Sequence, residues 1–168
     1  MKNKKKRRHY IFISGIVILI VCAIISLVNV FVKADRDNIE ISPLATNQIL
    51  NGDIKNAMKE INADTFLVIS YTNDQIVHKN EKEIEKYLKK INLLDNVMYL
   101  DLKDYVNDVD YLTNINKSLG LKGENTIEKL PAVIFYKDGS FVKMVDSRKN
   151  TLNVEVFKNY IQDSGLAS

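Results

Sequence analysis

Thiol chemistry is the first thing this sequence lacks. Its single cysteine, Cys22, lies inside an N-terminal apolar run, so the rest of the chain has no thiol for a disulfide, a nucleophile or a thiolate metal ligand. Histidine is nearly as scarce. His9 precedes the apolar run, His78 follows it, and no grouping of His, Asp and Glu has metal-ligand spacing. Tryptophan is absent, and the six glycines and two prolines form neither a phosphate-cradling loop after a strand nor a nucleophile elbow around a serine. No catalytic residue, metal or cofactor is therefore expected. Positive charge is also missing from most of the chain. Seven of the 24 basic residues precede Asp35, whereas all 21 acidic residues lie from Asp35 onward, leaving that part with a formal charge of −4. A nucleic-acid surface is not expected.

The N-terminal part has the opposite character. Residues 10–32 include no charged side chain, and as a helix they would span roughly 34 Å, against about 30 Å for a hydrocarbon core. Lys2, Lys4, Lys5, Lys6, Arg7 and Arg8 precede this run, and such a cluster stays on the cytoplasmic side. The expected layout is a cytoplasmic tail over 1–9, one membrane-spanning anchor over 10–32, a tether over 33–48 and an extracytoplasmic domain over 49–168. The lipid bilayer is the first expected partner. A cleaved signal peptide ending at Val32-Lys33-Ala34 is the alternative, disfavoured because secretory apolar segments usually run only about 7–15 residues.

Beyond the tether, broken by Pro43, the hydrophobic period alternates between helix and strand. Ile54, Ala57, Met58 and Ile61 have helical spacing with Asp53 as cap, and Phe66 to Tyr71 reads as a buried strand. Ile84, Tyr87, Leu88 and Ile91 form one helix face, with Glu81, Lys82, Glu83, Glu85, Lys86, Lys89 and Lys90 as its solvated side. Val97 to Leu102 reads as a strand ending in Asp101, a turn or cap residue. Val109, Leu112, Ile115, Asn116 and Leu119 then suggest a helix closed by Gly120. Ala132 to Tyr136 and Phe141 to Val145 pair as a hairpin through Asp138-Gly139. Val154, Phe157 and Ile161 mark a last helix, capped by Thr151 or Asn153. An α/β domain with helices on both faces of one sheet follows.

From about Asp53 to Gly165 this order resembles the thioredoxin fold. Phe66-Leu67-Val68-Ile69-Ser70-Tyr71 is similar to the central strand that runs into a thioredoxin active site, and Leu130-Pro131-Ala132-Val133-Ile134-Phe135-Tyr136-Lys137-Asp138-Gly139 to its proline-initiated hairpin. In that family two redox cysteines open the helix after the central strand. Here Gln75-Ile76-Val77-His78 fills that place, with Gln75 and His78 where the cysteines would stand. Exchange needs an attacking thiolate, so the resemblance implies a degenerate, membrane-anchored member without redox activity.

The resemblance further implies an edge for an extended peptide or protein partner, in which Leu130 precedes a cis-proline and presents backbone groups beside Tyr71, Gln75 and His78. Thioredoxin-like proteins beside export systems of Gram-positive bacteria, such as bacteriocin transport accessory proteins, offer an analogy for a role in peptide export. Two other readings stay open at this point. One is a non-thiol enzyme using Tyr71, Asp74 and His78 in a pocket; the other is a structural spacer in a membrane complex, which an exposed apolar face would support.

Overall fold

The structure, a computed structural model, describes residues 20–27, 39, 41–61 and 63–165. Residues 20–27 are helical and belong to a unit separate from the one that begins at Ile39. Among the described residues no helix is long and apolar enough to cross a membrane. The basic tail, most of the expected anchor and the start of the tether lie outside the described residues.

Five strands form one sheet: β1 (Gln48–Ile49), β2 (Thr65–Ser70), β3 (Val97–Asp101), β4 (Ala132–Lys137) and β5 (Ser140–Asp146), in the order β1-β3-β2-β4-β5. β1, β3 and β2 run parallel, and β4 and β5 are antiparallel to their neighbours. Helices α1 (Ile54–Glu60) and α3 (Tyr111–Leu119) cover one face, and α2 (Gln75–Lys90) and α4 (Val154–Gln162) cover the other. The central strands must therefore be apolar on both sides. Along β2, Leu67 and Ile69 join Ile54, Ile115 and Ile134 on the first face, while Phe66 and Val68 join Ile84, Leu88 and Phe157 on the second. Phe66 stacks on Phe135 with ring centroids 5.0 Å apart.

The hairpin forms as its sequence dictates, with Asp138 and Gly139 at φ 48° and 74°. Gly120 closes α3 in the left-handed conformation, and the Asn153 side chain caps α4 through the amides of Glu155 and Val156. Other expectations need correction. Asp53 stands before α1, but its side chain makes no capping bond, because a 3-10 turn over Asn51–Asp53 leads the chain in instead. α3 begins at Tyr111, leaving Val109 in an exposed loop. The C-terminal end of the supposed tether is part of the domain: Leu44 is fully buried in the second core, and β1 pairs with β3 through Gln48 and Ile49.

Candidate functional site

The register of the sheet brings the sequence-derived residues to one end of it. Ile69 pairs with Ala132 in the antiparallel β2–β4 ladder, so one step further Ser70 lies across from Pro131. The Leu130-Pro131 bond is cis. Leu130 is buried against the first core, where Tyr71 also packs. Among the described residues, no hydrogen bond engages the Leu130 amide or carbonyl.

The last residue of β5 and the two that follow it hold this loop in shape. Asp146 is buried, and its carboxylate accepts from the Glu128 amide at 2.9 Å and from Arg148 Nε at 2.8 Å. Burial opposes ionisation of Asp146, but the guanidinium and the amides outweigh it and hold the carboxyl below its usual range. Arg148 also reaches the Thr126 carbonyl and the Glu128 carboxylate. Ser147 Oγ donates to the Pro131 carbonyl at 2.9 Å and accepts from the Leu152 amide at 3.2 Å.

Opposite this loop, β2 gives way to Tyr71, Thr72, Asn73 at φ 70° and Asp74. Asp74 caps α2: one carboxylate oxygen accepts from the amides of Ile76 at 2.8 Å and Val77 at 3.0 Å. These are the N-terminal donors and dipole end that favour an anion such as a thiolate, and here a carboxylate of the chain itself occupies them. Gln75 and Ile76 are exposed and His78 is half-buried, with no hydrogen bond to its imidazole from a described residue. Burial, and then the Asp74 charge, push the Tyr71 phenol up from its ordinary range. Three clefts among the described residues are lined by none of Tyr71, Asp74 and His78. Among the described residues no set of His, Cys, Asp and Glu is placed to hold a metal ion.

Asp101 is the turn residue expected from its position at a strand end. Its carboxylate accepts from the Thr72 hydroxyl at 2.9 Å and from the amides of Thr72 and Lys103, fixing the β2–α2 turn to the end of β3.

Glu81 overturns the expectation of a solvated charge: only 3% of it is exposed. Ser42 Oγ donates to its carboxylate at 2.7 Å and Tyr99 Oη at 3.2 Å, while Ser42 Oγ itself accepts from the Leu44 amide. Ser70 Oγ is buried in the same place without a hydrogen-bond partner of good geometry. The buried positions of α2 are Val77, Glu81, Ile84 and Leu88. That spacing of four, three and four was the available signal, because it sets Glu81 on the apolar stripe rather than opposite it.

No protein-family model matches this chain, and no curated protein matches it. Solved structures resemble it in fold alone. Thioredoxin f2 of Chlamydomonas reinhardtii superposes with a TM-score of 0.50 at 8% identity, covering 73% of this chain and 98% of that one. Mitochondrial thioredoxin 3 of Saccharomyces cerevisiae, in its oxidized form, gives 0.46 at 13% identity over 70% and 93%. The thioredoxin of Fasciola hepatica gives 0.46 at 12% identity over 70% and 98%. The sheet and its flanking helices are thioredoxin-like. The paired cysteines are missing: the sole cysteine, Cys22, is exposed and lies outside the domain.

Proposed function

We propose that this protein is a thioredoxin-fold binding module without thiol chemistry, tethered by residues 10–32 to the outer side of a cytoplasmic membrane, where it holds an extended segment of a protein or peptide. The observation that carries this reading is the Asp74 cap, which fills the α2 amides that a redox thiolate would need while leaving the surrounding edge available. Leu130 is buried, but among the described residues its backbone groups make no hydrogen bond, which leaves them for strand-like pairing, and Ile76, 68% exposed at the start of α2, offers an apolar contact. Tyr71, Gln75 and His78 complete the expected edge. By analogy of fold, such a module serves as an accessory to peptide export or to a membrane complex.

The test uses the full-length protein in mild detergent and a fluorescent neutral peptide with extended conformation. Ile76→Glu should weaken capture at least about tenfold, equivalent to about 1.4 kcal/mol, while Lys89→Ala on the charged face of α2 leaves it unchanged. Unfolding curves recorded beside the binding data separate lost contact from lost fold. Capture indifferent to Ile76 would favour the structural-spacer reading. For the tether, protease added to intact cells should digest the domain and spare an N-terminal tag; a protected domain would overturn the orientation.

A further inference from the structure

Of the seven large hydrophobic side chains that the domain exposes among its described residues, three line one cleft with Thr72 of the β2–α2 turn, and two more follow on the loop of one of the three. Ile41, Leu50 and Tyr105 line a cleft of about 500 Å³, and Val106 and Val109 stand on the same loop as Tyr105. Ile41 is 72% and Val109 96% exposed. Soluble surfaces scatter such residues singly, and a group of them marks a contact site.

Two further features say what kind of contact. β1 is the outermost strand of the sheet, and its Gln48 and Ile49 line the cleft, so the cleft runs along an open strand edge. Its charge is one-sided. Asp101 and Asp104 line it against a single cation, Lys103, and Asp108 and Asp110 follow on the loop. The Asp101 carboxylate is committed to Thr72 and the Lys103 amide, but Asp104, Asp108 and Asp110 form no ion pair among the described residues.

We propose that this cleft, separate from the Leu130 edge, receives an extended partner segment that carries both apolar and basic residues, added as a strand beside β1. Such a segment offers apolar groups to Ile41, Leu50 and Tyr105 and cations to Asp101 and Asp104, which line the same cleft. A second copy of this acidic domain would bring like charge against like, and the anionic headgroups of a membrane surface would meet the same repulsion.

The experiment measures binding of two fluorescent peptides to the full-length protein in neutral detergent. One alternates valine and lysine, the other valine and glutamate. The lysine peptide should bind, more weakly as salt is raised, and the glutamate peptide should not. Leu50→Lys and Asp104→Lys should each weaken the lysine peptide at least about tenfold. Both positions are open to solvent, and unfolding curves verify the fold. Equal binding of the two peptides, no binding of either, or indifference to both variants would overturn the proposal. Loss through Ile76→Glu alone would also overturn it, by assigning the peptide to the Leu130 edge. Variants that abolish self-association rather than peptide binding would replace the partner with a second copy.

Discussion

Glu81 brings a carboxyl group into the interior with hydroxyls around it and, among the described residues, no ion pair. Burial pushes its pKa up; the hydroxyls of Ser70, Ser42 and Tyr99 pull it back down, and Asp101 adds to the rise, leaving the net shift upward. Because the folded pKa exceeds the unfolded value near 4.5, folding favours the protonated form. Its contribution is complete below that value and is lost as pH rises through the folded pKa. Urea unfolding across this window should therefore show wild type losing stability relative to Glu81→Gln, and parallel profiles would refute the assignment. Glu81→Ala should cost about 2 kcal/mol or more at any pH, by stranding the buried donors of Ser42 and Tyr99. In the sequence Glu81 looks like its neighbours Lys82, Glu83 and Lys86, which are exposed surface charges; only the helical phase distinguishes it. Asp101, Gly120 and Asn153 were legible because their roles depend on local backbone geometry. Gly139 has a reason beyond its turn: a Cβ there would lie 2.6 Å from the Ile61 carbonyl oxygen, at φ +74°. Gly139→Ala should cost about 1–3 kcal/mol in thermal or urea unfolding, and an unchanged midpoint would deny the contact.

The segments that shape the candidate edge are short and irregular, which is why no periodicity announced them. Asp146, Ser147 and Arg148 hold the 126–131 loop from behind, and Asn116 adds two bonds to the Ile127 backbone at 2.8 and 2.9 Å. Asp146 has a depressed pKa, so its contribution is present above the unfolded value near 3.8 and is lost as pH falls through the folded pKa. Arg148→Ala should expose the Ile127, Glu128 and Lys129 amides to faster hydrogen exchange at neutral pH while the β2–β4 ladder stays protected. The same amides in wild type should lose protection only in strong acid. Uniform exchange across the domain would show that the loop has no separate support. Regular elements were easier to foresee: the Asp138-Gly139 hairpin and the apolar β2 declare themselves by turn chemistry and composition. β1 has only two residues, too few for any pattern, and its Gln48 falls at the end of the expected tether.

At the scale of the whole molecule, the alternation of elements indicated the two-faced α/β architecture, but not the sheet's outer edge, which pairs residues about 50 positions apart. The cysteine count also acts at this scale. The full-length protein carrying Cys22→Ser should unfold identically with and without reductant and should not reduce insulin; reproducible turnover would overturn the non-thiol reading. The chain enters the domain through Ile39, whose carbonyl accepts from the Asn73 amide at 3.3 Å, then through Ser42 on Glu81, and then through the two residues of β1. A load pulling on the N-terminal side of Ile39 is thus borne first by these few bonds rather than by the long β2–β4 ladder. In single-molecule stretching, residues 39–49 should peel away in an early low-force step that lengthens the chain by roughly 35 Å, while the rest of the domain stays folded until a later rupture. Under the proposal of a membrane-tethered binding module, the domain would then carry its own shock absorber, giving slack whenever a held partner pulls away from the anchor.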